Sequence, residues 1–140
     1  MAIEVLIVDD SASMRSIIRK IVGLAGYEVS QFHESENGEE ALEVLASEWI
    51  DLILLDINMP KMDGITFLKE RQKEELYQKI PVILVTTEAR EDTIDEAFAL
   101  GVKGHIKKPF QPEKLRNILD DILGDEYVRE DIDVSEGCDF

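Results

Sequence analysis

A single cysteine, Cys138, stands in the 140-residue chain, which excludes an internal disulfide and any cysteine-built metal cage. Basic residues are scarce: 15 Lys and Arg face 31 Asp and Glu, for a net charge of -16. So few cations suit neither nucleic acid, whose phosphates are held by Lys and Arg, nor an anionic membrane surface. No apolar run approaches the roughly 20 residues of a membrane span, so membrane insertion is not expected. The start, Met1-Ala2-Ile3-Glu4, lacks the basic region and long apolar core of a secretory signal, and a cytoplasmic protein is the expectation. What is present, 44% hydrophobic and 33% charged residues, suits one soluble domain rather than two.

Three near-continuous apolar runs predict strands buried on both faces: Ile3–Val8, Asp51–Asp56 and Pro81–Thr87. Two shorter, more polar candidates, Glu28–His33 and Gly104–Lys107, suit sheet edges. Helical spacing links Met14, Ile17, Ile18, Ile21, Val22 and Ala25, with Gly26 as a stop. It recurs at Ala41, Leu42, Leu45 and Ala46; from Ile65 to Leu68; and at Ile94, Ala97 and Phe98. The last helix has Leu115, Ile118, Leu119, Ile122 and Leu123. The alternation predicts a doubly wound (βα)5 α/β domain with helices on both faces of a five-stranded parallel sheet. With the weak strands outside, the order is 2-1-3-4-5, the flavodoxin-like arrangement. Ligands in such sheets sit beyond the carboxyl ends of the strands, where strand order reverses.

The first strand ends in Asp9 and Asp10, the third in Asp56, the fourth in Thr86 and Thr87, and the fifth in Lys107 and Lys108 before Pro109. Three carboxylates sharing one crevice resist joint ionisation unless a cation intervenes. Oxygen ligands without His or Cys favour Mg²⁺, which leaves room for a phosphoryl oxygen. Lys and Thr add an ammonium and a hydroxyl, and an aspartate can accept a phosphoryl group covalently. Each residue alone has a plainer role. Asp10 or Ser11 can cap the following helix, Asp56 can form a turn, and Thr86 and Thr87 suit a strand. Their convergence on adjacent strand ends favours the chemistry.

The segments "LIVDDSASMR", "LLDINMPKMDG", "ILVTTEA" and "HIKKPF" resemble, in order and spacing, the signatures of bacterial response-regulator receiver domains. The resemblance spans Ile3 to Leu123, and because no output domain follows, it implies a stand-alone, CheY-like regulator. It implies that Asp56 is the phosphorylated residue. Asp10, Asp56 and the backbone carbonyl of Asn58 would ligate Mg²⁺, with Asp9 acting through water. Lys108 would pair with the phosphoryl group, its bond to Pro109 commonly cis, while Lys107 matches no motif position. Thr86 would be the switch hydroxyl. A histidine kinase would be the donor, a phosphatase a further candidate partner, and a protein target would read the face of the fourth helix, fifth strand and fifth helix.

Three features depart from or refine the pattern. His105 takes the place of the usual switch Tyr or Phe; it could swing inward or be a plain exposed edge histidine. Thr87 replaces a frequent small Ala. Asn58 and Glu88, two positions beyond Asp56 and Thr86, match the pair that tunes dephosphorylation in chemotaxis-type regulators, which implies a short-lived phosphoryl state. The domain is expected over residues 1–124, followed by an acidic tail over 125–140. From Asp120 to Phe140 nine acids oppose Arg129 alone, a net of -8. The tail is expected to be partly disordered, with a docking segment or the start of a linker as alternatives. Trp49, before the third strand, is expected to pack.

Other functions were weighed. A haloacid-dehalogenase-like phosphatase also uses an aspartate nucleophile with Mg²⁺. It needs a carboxylate two positions on, where Asp9 has Ser11 and Asp10 has Ala12. A flavodoxin-like electron carrier would need a phosphate cradle where "DDSAS" presents carboxylates. A receiver fragment of a longer regulator is the remaining alternative. The leading expectation is a phosphoacceptor that catalyses its own phosphorylation and hydrolysis without turning over an external substrate.

Overall fold

The computed structural model describes residues 2–124; the expectations for the acidic tail and Cys138 lie outside the described residues. Five strands form one sheet: β1 (Ile3–Val8), β2 (Val29–Ser35), β3 (Leu52–Leu55), β4 (Val82–Thr86) and β5 (Gly104–Lys107). All neighbouring pairs are parallel, and the order is β2-β1-β3-β4-β5, as the runs predicted. The helices are α1 (Ala12–Leu24), α2 (Gly38–Ser47), α3 (Gly64–Arg71), α4 (Glu75–Gln78), α5 (Glu91–Ala99) and α6 (Pro112–Leu123). The predicted fourth and fifth helices are therefore α5 and α6. The one-turn α4 was not foreseen, because four residues carry no apolar periodicity.

Side-chain alternation along β1 divides the core into two layers. Ile3, Val5 and Ile7 join Ile18, Ile21 and Val22 of α1 and Leu115 and Leu119 of α6. Leu6 and Val8 point the other way, to Ala41 of α2, Phe67 and Leu68 of α3 and Ala97 of α5. β3 and β4 are buried throughout, as strands covered by helices on both faces must be. Each buried aliphatic side chain contributes about 1.5–3 kcal/mol of transfer free energy.

Three expectations need correction. β2 is an edge strand but not a short one: it is the longest of the five, its seven residues partly buried or exposed except for buried Ser35 at its end. Trp49 does not pack: it is 76% exposed, and its indole Nε1–H donates to Asp51 Oδ1 at 2.8 Å. Thr87 lies beyond β4 and is exposed. In addition Phe98, on the apolar spacing of α5, is largely exposed.

α4 is held by a buried cation as well as by Tyr77, which packs against the second core layer. Arg71 donates to the carbonyls of Gln78, Ile80 and Leu100 at 3.1, 2.8 and 3.3 Å. Burial lowers its pKa. Carbonyl dipoles therefore replace a carboxylate as its partners, joining the end of α3 to α4 and to the end of α5.

The turn after β3 is closed by Gly64, whose N–H donates to Ile57 O at 2.8 Å. A Cβ at Gly64 would lie 2.5 Å from the carbonyl oxygen of Asp56. Gly64→Ala is expected to lower stability by about 2 kcal/mol, since backbone and not a flexible side chain must give way. Gly23→Ala, with nothing within 4 Å on an α-helix, should raise it by about 0.5–1 kcal/mol. Urea midpoints of the two variants measure both signs.

Candidate functional site

Ladder hydrogen bonds carry past the strand ends and fix the acidic residues. Asp9 N–H donates to Ser35 O at 3.0 Å, and Asp56 N–H donates to Val8 O at 2.9 Å. Carboxylate oxygens of Asp9, Asp10 and Asp56 lie within 4.8 Å of one another, with Asp9 and Asp56 buried and Asp10 exposed. Lys108 follows β5, and its N–H donates to Thr86 O at 2.9 Å. Its Nζ reaches Asp9 Oδ2 at 2.6 Å and Asp56 Oδ2 at 3.5 Å. The Lys108–Pro109 bond is cis.

The second oxygens of both buried carboxylates are also occupied. Asp9 Oδ1 accepts from Ser11 N–H, and Asp56 Oδ1 accepts from Ile57 N–H. Asp10 does not cap α1; Ser11 does, its Oγ accepting from Met14 N–H at 3.2 Å. Asp63 caps α3 in the same way through Thr66 N–H. One ammonium among three carboxylates leaves an excess of negative charge at the open side, where Asp10 stands. The donor set is entirely oxygen, which fits a hard divalent cation such as Mg²⁺.

The other predicted residues gather at the end of β4. Thr86 is buried and its Oγ accepts from Glu88 N–H at 3.1 Å. The Asn58 amide donates to Glu88 Oε2 at 3.3 Å, while Arg90 Nε donates to Glu88 Oε1 at 2.9 Å. The Arg90 hydrogen bond, followed by that of Asn58, holds the Glu88 carboxyl below its usual range. His105 on β5 is half-buried, not freely exposed, and its Nε2 is covered with no hydrogen-bond partner. Burial, then Lys114 and Lys107, lowers its pKa and favours the neutral ring. Lys107 points outward as an exposed residue, apart from the acidic cluster.

Arg15 was missed by sequence reasoning. Its Nη1 donates to the backbone O of Asp9 at 2.6 Å, and its Nε to Glu34 Oε1 at 2.8 Å. Glu34 also receives Arg19 at 2.9 Å. Although burial raises the Glu34 pKa, Arg15 and Arg19 outweigh it, and the net shift is downward. The available signal was an arginine near the start of α1, where the helix dipole disfavours a cation.

The family model described as "Response regulator receiver domain" matches residues 5–120. A chemotaxis protein CheY homolog of Campylobacter jejuni is 37% identical over 122 residues, spanning 86% of this chain and 92% of that protein. The structure of the chemotaxis response regulator CheY4 of Vibrio cholerae superposes with a TM-score of 0.77 at 35% identity, covering 88% of this chain and all of that one. The phosphorylated cyanobacterial phytochrome response regulator RcpA gives 0.72 at 29% identity, covering 88% and 92%.

Two measurements probe the geometry. Lys108→Ala strands the buried Asp9 carboxylate and should cost about 3 kcal/mol in metal-free buffer, with Mg²⁺ recovering part of it; urea unfolding with and without the ion reads both. The lowered pKa of His105 means the unfolded chain binds that proton more tightly. Stability from this site is full above the ordinary value of 6.5 and is lost as pH falls through the folded value. His105→Phe should show a shallower loss of stability below that pH than the parent protein, in parallel urea titrations.

Proposed function

Because the chain belongs to the response regulator receiver domain family, we propose that Asp56 is its phosphoacceptor, charged by a histidine kinase with the help of Mg²⁺. The domain is the phosphoacceptor of two-component signalling and not an enzyme in the ordinary sense. The observation that supports the site most strongly is the single Lys108 ammonium set between Asp9 and Asp56, within a 4.8 Å group of three carboxylates.

Asp10, Asp56 and the Asn58 carbonyl would hold the ion, with Asp9 acting through water. Bound there, Mg²⁺ would neutralise the carboxylates and polarise a phosphoryl oxygen. An Asp56 oxygen forms the new P–O bond as the donor's P–N bond breaks, and the imidazole nitrogen leaves with the electron pair. Lys108 turns from Asp9 toward the added phosphoryl charge, and the Thr86 hydroxyl, which accepts from Glu88 N–H, donates its own proton to a phosphoryl oxygen. These two residues gain contacts only in the phosphorylated state, which lets it bias the face of α5, β5 and α6 for a protein target. His105 on that face is the proposed switch ring.

Asn58 and Glu88, hydrogen-bonded to each other, would tune the attacking water, and self-dephosphorylation with a short-lived phosphoryl state is the reading we favour. The relatives named for chemotaxis suggest that pathway. No described helix is long and apolar enough to cross a membrane; a cytoplasmic setting and a phosphatase partner complete the proposal. So does the division into a receiver over 1–124 and an acidic tail over 125–140. The phosphatase-enzyme alternative is disfavoured, since the position two beyond Asp9 is the helix-capping Ser11.

Intact mass after incubation with Mg²⁺ and a small phosphodonor tests this. One phosphoryl adduct is expected, abolished by chelator and by Asp56→Asn. An adduct that survives Asp56→Asn at full yield would overturn the assignment.

A further inference from the structure

The edge of the sheet opposite the crevice carries an apolar groove of ≈ 400 Å³. It lies at the amino ends of the central strands, for Asp51 directly precedes β3 and Pro81 directly precedes β4. Trp49 and Leu76, 76% and 71% exposed, form its outer walls with Tyr77, and Ile122 and Leu123 at the end of α6 close one side. Trp49 is the only tryptophan of the chain. Two large apolar side chains so open, beside a concavity, mark a surface that something covers.

The attachment point of residues 125–140 identifies the occupant. The chain leaves α6 through Leu123, a wall of the groove, so the following segment begins at its rim. Tyr127 and Val128 come next among apolar residues, and at 3.3–3.6 Å per residue they can reach about 14–18 Å from Leu123. Ile132 and Val134 follow at strand-like spacing. Tethering makes the encounter intramolecular, at an effective concentration on the order of millimolar. Lys79 in the groove offers a cation to the acids around Tyr127, and Arg129 is the segment's one cation for Glu48 and Asp51. A second copy would bring a net charge of -16 to the groove, whereas the segment brings seven acids and Arg129 and is already tethered to it.

We propose that the C-terminal segment, led by Tyr127 and Val128, docks into this groove of its own chain and covers Trp49 and Leu76. The contact ties the end of α6 to α4 and to the Trp49 turn. It leaves the acidic crevice at the other edge of the sheet open to its partner.

The unique Trp49 and the unique Cys138 allow a test in the full-length chain. Tyr127→Ser/Val128→Ser is expected to red-shift Trp49 emission and to raise its acrylamide quenching constant at least twofold. The urea midpoint and circular dichroism check that both layers of the core stay folded. A nitroxide on Cys138 should broaden the Trp49 indole N–H resonance in the parent sequence and broaden it less in the double variant. Equal quenching in both proteins, with no broadening, would overturn the proposal. So would Trp49 protection that grows with protein concentration alongside a dimer in sedimentation, which would assign the groove to a second copy. Protection that arises only on adding a partner protein would also overturn it.

Discussion

Like-charge repulsion at the carboxyl end of the sheet is the constraint to which the rest of the architecture answers. Asp9 and Asp56 are buried within 4.8 Å of each other and of Asp10. Ionised carboxylates that close, partly removed from water, would expel one another or take up protons if nothing compensated. The compensation is local. Lys108 Nζ lies between the two buried carboxylates, and backbone N–H groups of Ser11 and Ile57 occupy their remaining oxygens. A buried ion pair of this kind adds little net stability, because desolvation consumes most of the Coulomb gain. Its value is positional: it holds charge ready for a ligand that brings more.

That readiness depends on a backbone which cannot drift. β1 and β3 are adjacent only because the sheet order reverses there, and hydrogen bonds at Asp9 and Asp56 extend the ladders through the acidic residues themselves. Gly64 lets the returning chain pass against the Asp56 carbonyl at a distance no side chain would allow. Arg15 grips the Asp9 carbonyl from α1 and is itself held by Glu34 on β2. Elements on both sides of the crevice therefore carry part of its geometry, and β2, the polar edge strand, is one of them.

How much was legible in the sequence follows from the range of each interaction. β1 and β5 were readable to the residue, because their runs end at an acid or a lysine and side-chain periodicity is a local property. Placing Asp9, Asp10, Asp56, Thr86 and Lys108 at one edge required only the strand order and the rule for ligand crevices. The misses were long-range or very short. Arg71 ties α4 down through the carbonyls of Gln78 in α4, Ile80 just beyond it and Leu100 on the far side of β4. Trp49 was expected to pack, standing just before the third strand, yet exposure depends on what packs over a turn. Arg15 is one of several basic residues on α1 until the fold brings Glu34 and the Asp9 carbonyl to it.

The link between the acidic crevice and the opposite edge of β4 runs through few bonds. Lys108 N–H is tied to the carbonyl of Thr86, so the cation and the proposed switch hydroxyl share one backbone connection. The Thr86 hydroxyl is engaged by Glu88 N–H, whose side chain in turn holds Asn58 and Arg90. On the proposed reading, added charge at Asp56 would draw the Lys108 ammonium from Asp9, while the Thr86 hydroxyl, which accepts from Glu88 N–H, still has its own proton to donate. His105 on β5, in register with Leu84, has a covered Nε2 with no hydrogen-bond partner. On that reading the resistance to switching would sit in the Lys108–Asp9 ion pair. A phosphoryl group at Asp56 would offer new contacts to Lys108 and Thr86 at once, which is what a two-state element requires of its ligand.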